Sequence, residues 1–174
     1  MKIFTTQLIG LLRKVEQEEH FAIDETARLL AQSAMGDGGR VILYGTDELD
    51  AVVTRALLGA EPMQRAVRYE EGMTFEKTDR VFLIGRYAND ERLLTIAQQL
   101  FDSFIPFAAM TATLPGDDNV LETLAYTYIC THTPEGFVPT DDGQRIGRPH
   151  ALLATFVLEA IMMQYHDIIR QETM

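Results

Sequence analysis

The chain has 174 residues, 47% of them hydrophobic and 24% charged, which is enough apolar material for one domain with a proper core and too little bias for bulk disorder. Its 26 acidic residues against 15 Lys and Arg leave a formal net charge of −11, a field that repels nucleic acid and anionic lipid, so neither is expected as a partner. The single cysteine, Cys130, excludes an intramolecular disulfide framework and fits a reducing, cytoplasmic compartment; inside the apolar run of residues 125–130 it reads as buried packing rather than as a nucleophile.

From the N-terminus, Met1-Lys2-Ile3-Phe4 runs into Thr5, Thr6 and Gln7 without the profile of a signal peptide. Phe4, Leu8, Leu11, Leu12 and Val15 recur at helical spacing, and a second helix is predicted over residues 24–35, with Ala27, Leu30, Ala31 and Ala34 on its apolar side. Gly36-Asp37-Gly38-Gly39 is expected to stop it. An apolar strand over residues 41–44 leads to Gly45, a helix covers residues 49–58, and residues 66–69 make a weaker strand. Residues 81–84 form a strong strand ending at Gly85, followed by an amphipathic helix over 91–104 and strands at 107–111 and 125–130. The last helix starts at Pro149, a residue favoured in a first turn, and runs to about Arg170; its apolar run is cut by Thr155 and Glu159 and is too short to span a bilayer.

Continuously apolar strands are buried on both faces, which predicts an α/β fold: a doubly wound, five-stranded parallel sheet in a three-layer α/β/α arrangement. One domain over residues 1–174 is expected, with N-terminal helices to 35, an α/β core over 36–148 and a C-terminal helix over 149–170. In such folds ligands bind at the carboxyl ends of the strands, so the residues after Tyr44, Ile84, Met110 and Cys130 are where a site belongs.

The order and spacing of these elements, the strand leading to Gly45, Asp79 just before the next core strand, and Thr111 closing the strand after an amphipathic helix resemble the sugar isomerase (SIS) domain along nearly the whole chain. In detail the chain is similar to phosphoheptose isomerases, and closer still to an uncharacterised bacterial family of SIS-like proteins. The resemblance implies phosphate held by hydroxyls in a Gly-x-Gly-x-Ser-like turn and a Ser-x-Ser-Gly-x-Thr-like loop. Here those segments read Gly45-Thr46-Asp47-Glu48-Leu49 and Gly85-Arg86-Tyr87-Ala88-Asn89-Asp90-Glu91: the glycines remain and most hydroxyls are gone.

Carboxylates take their place. Asp47, Glu48 and Asp50 open one helix and Asp90 and Glu91 another, as helix caps, as a joint divalent-cation site, or as readers of sugar hydroxyls or an amine. Arg86 offers a planar fork for phosphate, or pairs with Asp90 or Glu91. Arg145, Arg148 and His150 crowd the last loop, and His150 falls where the resemblance places an acid/base histidine. The helix that supplies a glutamate base in the resembled enzymes has no carboxylate on its body, leaving Glu61 just beyond it. The expected site is therefore Gly45, Thr46, Asp47, Gly85, Arg86, Tyr87, Asn89, Thr111 and Arg148, with His150 and Glu61 as candidate catalytic groups. His20, His132, His150 and His166 lack zinc-ligand spacing, and no metal or other cofactor is expected. Three functions follow: a sugar-phosphate-binding protein with an eroded phosphate loop and little or no catalysis, an active aldose–ketose isomerase of the phosphoheptose type, or a structural or regulatory subunit. A homo-oligomer, dimer or tetramer, is expected, because Leu152, Leu153, Phe156, Val157 and Ile161 spread over more than one face of the last helix.

Overall fold

The computed structural model describes residues 2–35, 38–116 and 118–172. It opens with one helix, α1 (Lys2–Met35), where the spacing predicts two. Residues 16–22 contain no glycine or proline and consist largely of good helix formers, so nothing breaks the backbone. Between buried Val15 and Ile23 the inward position is Glu19, a carboxylate side chain only 13% exposed that interrupts the apolar stripe. Two residues of the expected stop signal, Gly36 and Asp37, lie outside the described residues.

Five strands follow: β1 (Val41–Gly45), β2 (Ala66–Arg68), β3 (Arg80–Tyr87), β4 (Phe107–Ala112) and β5 (Thr127–Cys130). They form a parallel sheet in the order β2-β1-β3-β4-β5. Helices α2 (Asp50–Leu58), α3 (Glu91–Asp102) and the short α4 (Val120–Leu124) connect them, and α5 (His150–Glu172) closes the chain. The hairpin β6 (Val138–Pro139) and β7 (Arg145–Ile146) and helix α4 are not among the predicted elements: two- and five-residue pieces carry no periodicity.

Side chains alternate across the sheet and are apolar on both faces. Leu43, Phe82, Ile84, Ala108 and Met110 pack under α1, α2 and α5. Ile42, Val81, Leu83 and Ala109 pack under α3 with Leu93, Ala97 and Leu100. Helix α5 is long and apolar enough to cross a bilayer, but Leu153, Val157, Leu158, Ile161 and Tyr165 are spent on this core. Asp79 is fully buried at the start of β3, accepting from the Arg40 backbone N–H (3.0 Å), Arg40 Nε (3.1 Å) and Nη2 (2.6 Å), and the Glu76 N–H (2.9 Å). It ties two strand entries together and stands at the sheet edge opposite the strand ends described next.

The sheet reverses direction of growth between β1 and β3: the chain passes from β1 outward to β2, then returns to the other side of β1. The carboxyl ends of β1 and β3, at Gly45 and Gly85, flank that switch point.

Candidate functional site

Backbone proximity sets the shape of this region. At Gly45 a Cβ would lie 2.5 Å from the Leu49 carbonyl oxygen, so backbone excludes a side chain there, whereas at Gly85 it would lie 2.4 Å from Leu93 Cδ1, the movable end of a side chain. Thr46 is buried and its N–H donates to the Ile84 carbonyl (3.0 Å), fastening the β1 end to the β3 end. Asp47 then takes a left-handed φ of 51°, unusual for a residue with a side chain, and begins a 3-10 turn (Asp47–Leu49). On the other side the β3–β4 register shifts between Ile84 and Tyr87, a bulge that re-aims Arg86 at the strand end.

Between these loops lies a cleft of about 410 Å³, lined by Asp47, Glu48, Arg86, Tyr87, Asn89, Asp90, Arg148 and His150. The two acidic clusters do meet there, but across guanidinium groups. Arg86 Nε donates to both Glu48 carboxylate oxygens at 2.8 Å, and its Nη2 contacts the same carboxylate. Arg92 bridges Asp47 (2.8 and 3.1 Å) and Asp90 (2.7 and 3.0 Å). Hydrogen bonds from Arg92 hold the Asp47 carboxyl below its usual range, and those from Arg86 do so for Glu48. Burial pulls Asp90 the other way, yet Arg92 and the α3 N-terminus win and its pKa also falls.

This settles two sequence expectations against their stated form. Arg86 pairs with Glu48, 38 residues away, rather than with Asp90 or Glu91. The paired carboxylates leave no set of donors for a divalent cation, and among the described residues no group of three or more His, Cys, Asp or Glu could hold a metal. Asp50 turns away to Arg68, and Glu91 is exposed in the first turn of α3. Three carboxylates, Asp47, Glu48 and Asp90, face three guanidinium groups, Arg86, Arg92 and Arg148, so the cleft is close to neutral in a strongly anionic protein.

His150 is the unusual member. It is 2% exposed at the start of α5, its ring stands edge-on to Tyr87 with centroids 5.0 Å apart, and neither ring nitrogen has a protein partner. The Tyr87 hydroxyl is likewise buried without one. Burial, with the charges of Arg86 and Arg148, lowers the His150 pKa against the opposing pull of Glu48, so the ring is neutral at pH 7 with one donor and one acceptor to offer. Arg148 is anchored through Nε to the Glu135 carbonyl (2.6 Å).

The structure thus gathers Asp47, Arg86, Tyr87, Asn89, Arg148 and His150 around one cleft, while Gly45, Thr46 and Gly85 lie in the strand ends that carry them without lining it. Two expected members are elsewhere. Thr111 is buried with Oγ1 2.7 Å from the Tyr128 hydroxyl, because β4 lies one strand beyond the switch point. Glu61 is exposed beyond α2, at the edge where β2 begins, since a crossover helix carries the chain away from the strand ends. Glu48 and Asp90, from the two acidic clusters, complete the charge network together with Arg92, which was not expected at the site: it sits in an ordinary amphipathic helix and gives no local signal.

A family model described as a domain of unknown function (DUF2529) matches residues 1–169. The chain is 27% identical over 172 residues to the uncharacterized protein YwjG of Bacillus subtilis, covering 98% of each. Solved structures share the fold at much lower identity. A Bacteroides fragilis protein provisionally assigned as a phosphosugar isomerase involved in capsule formation superposes with a TM-score of 0.64 at 13% identity, over 94% of this chain and 92% of that one. The Vibrio vulnificus NanR protein, complexed with ManNAc-6P, gives 0.70 at 11% identity, over 99% and 64%. The sugar isomerase domain of an RpiR transcription factor from Sphaerobacter thermophilus gives 0.62 at 15%, over 99% and 94%. The chain shares its five-stranded parallel α/β fold with these structures.

Proposed function

The chain belongs to the DUF2529 family, and we propose that the cleft between its β1 and β3 ends binds a sugar phosphate or a related phosphorylated sugar derivative. The observation that carries this reading is His150, a buried neutral imidazole with no protein partner, lining a cleft beside Arg86 and Arg148. A native fold keeps buried polar groups satisfied, and one left open at the wall of a cleft is suited to a ligand's hydroxyl or carbonyl oxygen. Arg86 and Arg148 supply the donors that phosphate needs in place of the missing hydroxyl loop. The sugar-phosphate complex of the NanR protein, on the same fold, agrees in ligand class.

Binding with little or no turnover is favoured over aldose–ketose isomerisation. Proton abstraction next to a carbonyl needs a carboxylate or imidazole base of suitable pKa. Glu61 is remote, and Asp47, Glu48 and Asp90 are each paired with arginine and held at depressed pKa, which makes them weak bases; His150 then stands as a lone acid/base candidate without the second group that isomerisation needs. We also infer a cytoplasmic protein that self-associates through α5, where exposed Leu152, Phe156 and Met163 form one stripe on the side away from the core.

The test is a thermal-shift and calorimetric screen of sugar phosphates against the corresponding free sugars. A binder present at 100 times its Kd stabilises the native state by about 2.7 kcal/mol. The phosphorylated compound should shift the native protein, the free sugar should not, and Arg86→Ala should lose most of the shift. An unchanged shift in Arg86→Ala, or none with any phosphorylated sugar, overturns the assignment.

A further inference from the structure

A second cavity, of about 600 Å³, opens where β5 ends against α1; Lys14, Thr113, Cys130, His132, Thr133 and Glu135 are on its wall. It shares no lining residue with the cleft at β1 and β3. Cys130 is not isolated packing here. As the last residue of β5 it is only half-buried, and two other functional groups converge on it. The His132 backbone N–H donates to Cys130 Sγ (3.4 Å), and the His132 imidazole lines the same cavity wall as the sulfur. His132 Nε2 lies 2.7 Å from Glu19 Oε1, and Glu19 Oε2 accepts the Cys130 backbone N–H (3.2 Å). Thiol, imidazole and carboxylate thus stand in series, from an edge strand and the middle of the longest helix. This explains the gap in the α1 stripe: the inward position between Val15 and Ile23 is a carboxylate because it reaches His132. His132 itself takes a left-handed φ of 53°, a conformation a non-glycine residue adopts at a cost of about 1–2 kcal/mol.

The surrounding charges favour ionisation of the pair. Burial alone would raise the Cys130 thiol, but hydrogen bonding from His132 overrides it and brings the thiol below its usual value. The thiol and Glu19 push His132 up to about 9. Other groups facing the pair are Lys14 and Glu18 from α1, Thr113 beyond β4, Tyr128 on β5 and Glu135 from the following loop; Glu18 Oε2 is 3.5 Å from His132 Nε2, and Lys14 opposes the imidazolium.

We propose that Cys130 is a nucleophilic thiolate site that takes small-molecule disulfides, with His132 holding its proton, Glu19 positioning His132, and the cavity housing the attached thiol moiety. The thiolate attacks one sulfur of R–S–S–R. A Cys130–S–S–R bond forms as the reagent's S–S bond breaks, and RS⁻ leaves with the bonding pair and takes the proton from the His132 imidazolium. The Cys130 sulfur is oxidised and the departing sulfur reduced, so electrons balance. Because the chain contains one cysteine, no internal thiol can resolve the product. The mixed disulfide persists until an external thiol reverses it, which makes the site a reversible modification point.

The probe is dithionitrobenzoate, whose released thiolate is coloured, applied to the native protein from about pH 5 to about pH 9 with intact mass measured in parallel. Every adduct reports on Cys130, and Cys130→Ser supplies the blank. For each unit by which ion pairing lowers a thiol's pKa, thiolate fraction at acid pH rises tenfold and nucleophilicity falls about threefold, a net gain of about threefold. The native protein should therefore react faster than His132→Gln at about pH 6, with a rate that flattens before the about pH 8.5 expected of an ordinary thiol. Glu19→Gln should move the profile in the same direction as His132→Gln, and it carries the comparison if circular dichroism shows His132→Gln unfolded. A native profile that climbs tenfold per pH unit up to about pH 8.5, or one that overlays both variants, overturns the proposal.

Discussion

Replacing His150 with leucine should make the protein more stable and remove its ligand response. In the native fold the ring is 2% exposed and neither nitrogen has a protein partner, while a neutral imidazole carries one donor and one acceptor. Burying such a group unsatisfied costs about 1–3 kcal/mol, and leucine fills a similar volume without polar atoms. Against this stands the edge-on contact with Tyr87, worth about 0.5–1.5 kcal/mol. The difference leaves a net gain of about 1 kcal/mol, or about 2–4 °C in Tm for a chain of this size. The sign with pH is fixed as well. Because burial lowers the His150 pKa, the unfolded chain binds that proton more readily than the folded one below about pH 6.5. Native stability is therefore complete above about pH 6.5 and falls on acidification, and His150→Leu should lack that part of the slope. Urea unfolding at neutral and mildly acid pH, with calorimetric Tm, measures both. A variant destabilised by more than about 1 kcal/mol would show that the ring is a satisfied structural group, and the cleft would lose the observation that makes it a binding site.

The two strand-end glycines should differ in their tolerance of alanine. Gly45→Ala meets backbone at 2.5 Å and should cost about 2–3 kcal/mol in urea unfolding, whereas Gly85→Ala meets the movable tip of Leu93 and should cost about 1. Asp79→Asn should destabilise by about 2–3 kcal/mol at neutral pH; since the Asp79 pKa is lowered in the fold, where hydrogen bonds from Arg40 and Glu76 outweigh burial, that deficit should shrink below about pH 4. His132 has the opposite linkage: its contribution is present below about pH 6.5 and fades as pH rises through about 9, so alkaline unfolding should be flatter in His132→Gln. A double Leu152→Glu, Phe156→Glu variant should be monomeric in light scattering while the native protein is not; a native monomer at micromolar concentration refutes the α5 interface.

How much of this was legible depends on distance along the chain. Core strands with near-continuous apolar runs, each followed by a turn or a helix signal, declare a parallel sheet, and the rule that ligands gather at strand ends then points to Gly45, Arg86 and Asn89; His150 needed the family resemblance as well. Pairings across the fold are another matter. Nothing local tells Arg86 that Glu48 rather than Asp90 is its partner, or sets Arg92 between two aspartates. Thr111 and Glu61 were misplaced because a motif fixes a residue in sequence, while one strand's displacement or one helix's direction decides which end of the sheet it reaches. Cys130 and His132 lie two residues apart, but their carboxylate comes from more than 100 residues away, at the position where a glutamate interrupts the apolar stripe of α1. That interruption split α1 in two on paper; in the folded chain it reaches His132.

The sheet's outermost strands, β2 and β5, are three and four residues long. An intruding strand would find only a few free backbone donors and acceptors on either flank before the template ran out, and β2 ends in the charged Arg68. The five-stranded sheet is thus poorly suited to growing by strand addition, whether into an ordered dimer or into fibrillar aggregates. Assembly is left to the helical layers, and on heating the chain should be lost to disordered coagulation of its apolar core rather than to cross-β polymer.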